Sequence, residues 1–448
     1  VICLEVLSAC GSYFCAMLRH LPATLMLTTL LVGEDFAEAQ QKTANYDESK
    51  VVHYTLPALL KSSDGRDVST AEEWVKARRP EVLALFEQHV YGRTPDPKAW
   101  GRVEFKVTQV KKDALGGRAT RKFIRISLPE HPSWQGMEVM LYTPNGRSGP
   151  APCFVGPSFG GNHAVSTEAD VPLSSRWMRP SKEKHIVDNR ATEASRGNES
   201  SRWPLEMILD QGFAVATYYY GDIEPDHADG WKDGLRAALS PQGAATAWND
   251  GQWGAIGAWA WGLSRIADYL ETDADVDAEH LAVIGHSRLG KTSLWAGAQD
   301  VRFGVVISNN SGEGGAAIMR RNFGETTAVI TKAFPHWFTR TYAGYANNEA
   351  ACPIDKHMLI ALAAPRPIYI ASAVEDEWAD PKGEFLSGLN AQPVYDLFGK
   401  KGLGVKDQPG IDQPVGDVVG YHVRTGKHDV TSYDWEQYLK FAARHFGR

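Results

Sequence analysis

A short apolar run, Leu281-Ala282-Val283-Ile284, ends without a linker at Gly285-His286-Ser287-Arg288, and helix-forming residues follow at once. Few folds accommodate a strand that stops so abruptly and turns straight into a helix. Such a turn holds Ser287 at its apex beside the first N–H groups of the helix, the geometry of a nucleophile elbow. The same letters satisfy a second pattern. Gly285-x-x-x-x-Gly290-Lys291-Thr292 matches the phosphate-binding P-loop, which also lies between a strand and a helix. In the elbow Ser287 attacks an acyl carbon and Lys291 follows one helical turn later; in the P-loop Lys291 reaches phosphates and Ser287 is incidental. A third reading makes the glycines close-packing residues at a strand–helix junction.

The rest of the chain weighs these readings. A formal net charge of −7 over 448 residues argues against a nucleic-acid partner, which needs a concentrated basic face. Near the N-terminus Arg19-His20 precedes the apolar stretch 21–32, too short to span a bilayer, and Ala37-Glu38-Ala39 offers small residues for cleavage. Residues 1–39 therefore read as a signal peptide with an upstream leader. They predict a secreted or periplasmic protein with no membrane attachment after cleavage. Cys3, Cys10 and Cys15 leave with that segment, and Cys153 and Cys352, in apolar or proline-bounded surroundings, read as buried free thiols rather than a bridge. ATP and GTP are scarce outside the cytoplasm, so export counts against the P-loop. The many tryptophans fit a core and also the aromatic faces that grip carbohydrate.

Residues 71–91 have helical spacing and end at Gly92. Runs with period-two alternation at 103–110, 122–128 and 137–142 predict antiparallel strands at a sheet edge. Beyond Ala151 the strands become continuously apolar, at 153–155, 213–217, 281–284, 305–307, 367–371 and 421–423, with helical stretches between them such as 255–270. That pattern is a parallel sheet covered on both faces. Antiparallel strands, then a parallel series whose third member ends in a serine elbow, give the plan of an α/β-hydrolase, a three-layer sandwich. With no strong linker, residues 40–448 read as a single catalytic domain. Segments 161–203 and 323–353 lack sustained periodicity and are expected as long loops walling the site.

An activated serine needs a base within hydrogen-bond reach and an acid orienting that base, in the chain order Ser, acid, His for this fold. His428, in Thr425-Gly-Lys-His428-Asp429 after the final strand, stands where the base belongs; His280, His286, His336, His357, His422 and His445 lie inside elements or ahead of the needed strands. Two places can supply the acid. Glu375-Asp376-Glu377-Trp378 follows the strand at 367–371, and Asn309-Asn310-Ser311-Gly312-Glu313 follows the strand at 305–307. Asp376 is preferred for its place at the carboxyl end of a strand, with Glu313 as the alternative.

These residues carry a family resemblance. Gly-His-Ser287-Arg288-Leu-Gly-Lys291, Asn-Ser311-Gly-Glu-Gly-Gly315, Arg320-Arg321-Asn-Phe-Gly324-Glu325-Thr326, Asp376-Glu-Trp378, Gly426-Lys-His428 and Trp259-x-Trp261-Gly-Leu-Ser-Arg265 together resemble the bacterial glucuronoyl esterases of carbohydrate esterase family 15, from about Ser69 onward. The resemblance implies a carboxylic ester hydrolase without cofactor or metal. It implies cleavage of the ester between a (4-O-methyl-)glucuronic acid branch of xylan and a lignin alcohol. Ser287 is then nucleophile, His428 base and Arg288 the oxyanion group, through its N–H and its guanidinium. Lys291, Glu325 and Trp378 match positions that hold the sugar, and the Phe159-Gly-Gly-Asn162-His163 loop matches a segment lining the site. A monomer is expected.

One departure concerns the acid. Many family members carry glutamate immediately before the Ser-Gly, where this chain has Asn310, and an amide cannot balance an imidazolium charge. The departure agrees with the strand-end argument for Asp376. The elbow also has Leu289 where a second glycine commonly stands. Other readings are an esterase for a different carbohydrate ester such as acetyl-xylan, a P-loop nucleotide hydrolase, and a catalytically silent carbohydrate-binding protein.

Overall fold

A computed structural model describes residues 39–240 and 252–447. The expected leader and signal peptide, up to residue 38, lie outside the described residues. Among the described residues no helix is long and apolar enough to cross a membrane. Among the described residues nine strands form one sheet in the order β1-β2-β3-β5-β4-β6-β7-β8-β9. The strands are β1 (Glu104–Asp113), β2 (Ala119–Ser127), β3 (Met137–Pro144), β4 (Ala151–Ser158), β5 (Ala214–Tyr219), β6 (Val276–His286), β7 (Phe303–Asn309), β8 (Ile368–Ala373) and β9 (Val419–Arg424). β1, β2 and β3 pair antiparallel at one edge, and from β5 across to β9 every pairing is parallel.

Continuous apolarity in the parallel strands follows from burial on both faces. In β4, Cys153 and Val155 join one core while Phe154 joins the other; in β6, Leu281 and Val283 face one way and Ala282 and Ile284 the other. The first core is covered by α1 (Ala255–Leu270) and α2 (Arg288–Gln299), with the helical run built from Ala71–Glu73, Trp74–Arg78, Arg79–Phe86 and Glu87–Tyr91. That run stops at Gly92, whose φ of 85° suits glycine, and a Cβ there would meet the backbone of Trp253 at 2.1 Å. The C-terminal helix α5 (Ser432–His445) packs on the second core through Trp435, Tyr438 and Phe441.

One expectation needs correction, and one polar stretch is tied down by contacts that no local pattern announces. The segment 323–353 is not purely loop: it carries α3 (Thr327–Ala333) and shorter turns at Arg340–Ala343 and Glu349–Ala351. Thr326 starts α3 by accepting the Val329 N–H, so a cap substituted for the missing periodicity. The polar stretch after residue 40 also folds onto the body. Gly324 N–H donates to Asn45 O at 2.9 Å, Tyr46 meets Phe323 edge-on at 6.0 Å, and Glu48 accepts from Lys382 at 2.9 Å and from Arg321. Cys153 and Cys352 are buried free thiols.

Candidate active site

The carboxyl ends of β6, β7, β8 and β9 lead directly into Ser287, Asn310, the Asp376 turn and the His428 turn. Ser287 has φ 57° and ψ −128°, a conformation that costs a non-glycine residue about 1–3 kcal/mol. Its N–H donates to Asn309 O on β7 at 2.9 Å, which pins the strained residue to the neighbouring strand. Glycine at 285 is obligatory, because a Cβ there would lie 1.9 Å from Leu289 O. Leu289 itself is fully buried in the core, and Gly290 makes the close approach instead, with its Cβ position 3.1 Å from Asn309 O. Helix α2 begins at Arg288, so Gly290, Lys291 and Thr292 are already helical. No loop remains between strand and helix to cradle a phosphate, and the elbow is the geometry that the string adopts.

Ser287 and His428 line one cavity of about 370 Å³. His428 Nδ1 lies 2.6 Å from Asp376 Oδ2. The same carboxylate oxygen accepts from Asn310 Nδ2 at 2.7 Å, so Asn310 is a hydrogen-bond partner of Asp376. Asn310 is held in the left-handed region at φ 46° and ties its own N–H to Ala371 O at 2.7 Å. Glu313 points elsewhere: it accepts from Thr327 at 2.8 Å and from the Tyr342 hydroxyl, and burial raises its carboxyl above the usual range. The structure brings Asp376 to His428 and takes Glu313 away from it.

The Arg288 guanidinium donates to Asp226, a buried carboxylate that also faces His336 Nε2 and Trp337 Nε1 at 2.7 Å each and Tyr220 OH at 3.1 Å. Although burial works to raise it, the surrounding cations, Arg288 first among them, hold the Asp226 carboxyl well below the usual range. Arg288 lies 5.8 Å from the Phe159 ring centre and 4.7 Å from that of Trp337. On the Trp337 side stands Lys291, 5.7 Å from the same ring. Burial pushes the Lys291 ammonium down and the Glu325 carboxyl up, and their mutual attraction opposes both shifts. Glu325 is joined to Trp378 by its N–H, which donates to the Trp378 carbonyl at 2.9 Å. On the Phe159 side lies the cavity. Its described lining includes Phe159, Gly160 and Arg288 but not Lys291, Glu325 or Trp378. Asn162 and His163 do not line the cavity, against expectation; Asn162 bonds Thr217 at 3.0 Å and His163 faces Ser195 at 3.0 Å.

A family profile described as "Glucuronyl esterase, fungi" matches residues 240–399. A carbohydrate esterase from an unknown prokaryotic organism is 45% identical over 422 residues, covering 94% of this chain and 96% of that one. The solved glucuronoyl esterase from Solibacter usitatus is 51% identical, covers 90% of this chain and 100% of its own, and superposes with a TM-score of 0.84. This chain belongs to the glucuronoyl esterases of carbohydrate esterase family 15. A further family member, described as a promiscuous esterase from a marine bacterial metagenome, is 47% identical with a TM-score of 0.83, covering 90% of this chain and all, 100%, of that one.

In this glucuronoyl esterase three residues escaped the sequence reading. Asp226 lies beyond the carboxyl end of β5, where a carboxylate is a candidate by position, yet nothing in the string ties it to Arg288 across 62 residues. His286, set aside as an in-strand histidine, borders the site: its ring centre is 4.5 Å from that of His428, and its Nδ1 lies 2.6 Å from Asn309 Oδ1. Burial, reinforced by the nearby His428, holds the His286 imidazole well below its usual range, which keeps it uncharged. Glu384 is buried under the Ser311-Gly312 turn and accepts both backbone N–H groups, at 2.8 and 3.0 Å.

Proposed function

We propose that this chain is an exported, monomeric serine esterase of one catalytic domain, 40–448, acting on the ester between (4-O-methyl-)glucuronic acid branches of xylan and lignin alcohols. One observation carries the reading: Ser287, at the apex of a strained elbow, shares a cavity with a histidine whose far nitrogen is 2.6 Å from a buried carboxylate. Family membership supplies the uronate ester as substrate class. The exported state is supported by the apolar stretch 21–32 and the small residues at 37–39.

His428 takes the Ser287 proton as Oγ attacks the ester carbon, and Asp376 stabilises the imidazolium that results. Charge develops on the carbonyl oxygen beside the Arg288 N–H and the guanidinium fixed by Asp226, so stabilisation is greatest in the transition state. The imidazolium returns its proton to the departing alcohol oxygen as the C–O bond breaks, leaving uronoyl-Ser287. Water, deprotonated by His428, then releases uronate and restores the serine. Lys291 and Glu325 bond sugar hydroxyls and Trp378 packs on the ring. Ser287→Ala is expected to abolish hydrolysis of methyl and benzyl glucuronate while uronate binding, measured by calorimetry, persists. Retained turnover refutes the assignment. A second reading, hydrolysis of acetylated xylan, draws on the marine relative described as promiscuous, and acetyl-ester turnover exceeding uronate-ester turnover establishes it.

A further inference from the structure

The compartment on the Phe159 side of Arg288 has an unusual charge balance. Among the described residues that line it, four are cationic, Arg179, Lys184, Arg202 and Arg288, and none is Asp or Glu. Three of these cations converge on one ring: Lys184, Arg202 and Arg288 lie 5.6, 6.0 and 5.8 Å from the centre of Phe159. Their counter-charges stand behind the wall. Asp429 pairs with Arg202 at 2.6 Å, Asp226 with Arg288, and Glu199 approaches Lys184 to 3.9 Å, yet none of the three carboxylates lines the cavity. Arg202 donates to Asp429 through its Nε, and its guanidinium carries further N–H groups on the two terminal nitrogens. Burial holds the Lys184 ammonium below its usual range; Glu199 behind the wall opposes the shift, while Arg202 and Arg288 add to it.

A neutral ester does not call for this arrangement. The sugar hydroxyls are uncharged, and the developing oxyanion is served by Arg288 alone. Arg179, Lys184 and Arg202 are surplus to the reaction as derived above. The alcohol must depart on the side where His428 delivers its proton, and His428 lines the same cavity. Met178, Ile186 and Tyr219 add apolar and aromatic wall, and a volume of about 370 Å³ lies within the range of small-molecule sites.

We propose that this compartment selects an acidic leaving group, an aryl alcohol that carries a carboxylate. The proposal rests on the serine-esterase reading and extends it to the alcohol half of the substrate. The ring packs against the Met178–Ile186 wall while the carboxylate takes N–H donors from Lys184 and Arg202.

The test compares benzyl glucuronate with its 4-carboxybenzyl counterpart on the full chain, reading the ratio of kcat/KM within each protein so that effects common to both esters cancel. At low ionic strength the carboxylated ester is expected to be favoured by about three- to tenfold. The preference is expected to shrink toward one in Lys184→Gln, in Arg202→Gln, and at about 0.5 M salt, where screening is strong. Equal or faster turnover of the neutral ester, or a ratio unchanged in both variants, overturns the proposal. A second arm measures 4-(hydroxymethyl)benzoate and benzyl alcohol binding to Ser287→Ala by calorimetry. Tighter binding of the benzoate, weakened by Lys184→Gln, supports the site; glucuronate losing affinity in Lys184→Gln while the benzoate does not assigns the cations to the product instead and overturns it. If neither ester is hydrolysed, the esterase reading falls and the calorimetric arm still decides the cavity.

Discussion

Glu384, on helix α4 (Pro381–Asn390), makes stability depend on pH in a way that a single substitution isolates. Its side chain is fully buried; one oxygen accepts the Ser311 and Gly312 N–H groups and the other accepts the Ser372 hydroxyl at 2.6 Å. Burial outweighs these donors and pushes the carboxyl from an ordinary 4.5 up to about 8. A raised acid contributes stability that is complete below its unfolded value and is lost as pH climbs through the folded one. Over a window of about 3.5 pH units, 8 minus 4.5, the loss runs at a little over 1 kcal/mol per unit, on the order of 5 kcal/mol in all. That is a large part of a typical 5–15 kcal/mol. In Glu384→Gln the amide oxygen keeps both backbone donors and the amide N–H₂ turns to the Ser372 hydroxyl, without an ionisable group. Urea unfolding followed by tryptophan fluorescence at pH 5, 6, 7 and 8 is expected to show the variant gaining on the wild type at each step. Parallel stability curves for the two proteins across that window refute the reasoning.

Three further outcomes follow from the site. Asp376→Asn is expected to lower kcat on benzyl glucuronate by about 10³- to 10⁴-fold, since the imidazole loses its orienting carboxylate; a loss under tenfold removes Asp376 from the role of acid. Glu313→Gln is expected to keep kcat within about threefold while lowering the urea midpoint, because this carboxylate bonds Thr327 and Tyr342 rather than His428. Asp226→Asn is expected to reduce kcat by about 10- to 100-fold with little change in KM, as Arg288 loses its fixed position; an effect confined to KM shows that the guanidinium serves ground-state binding.

What could be read from the string was whatever rests on local repetition or on a turn that one residue dictates. Apolar runs at 153–155, 213–217, 281–284, 305–307, 367–371 and 421–423 became β4 to β9, because strands buried on two faces are mostly apolar. Residues 71–91 and 255–270 showed their helical period and their ends. The meeting of Asp376 with His428 was legible from the place of each after its strand, whereas the hydrogen bond from Asn310 to the same carboxylate was not. Less legible was anything fixed by contact between distant segments. Asp226 reaches Arg288, His336 and Trp337 only after three distant segments converge, and Glu384 meets its two backbone donors 72 and 73 residues away. No spacing rule encodes such meetings. The polar composition after residue 40 gave no sign that Tyr46 and Glu48 anchor this segment to Phe323, Arg321 and Lys382.

The single carboxylate of Asp226 knots the stretches around Tyr220, Arg288 and His336–Trp337 into one unit. Grafting one of those stretches from another esterase severs the knot wherever the import lacks the residue that meets Asp226, even when the transplanted backbone fits. Chimaeras aimed at new alcohols will therefore succeed only when all three stretches travel together, and a library that shuffles them separately explores mostly inactive mosaics.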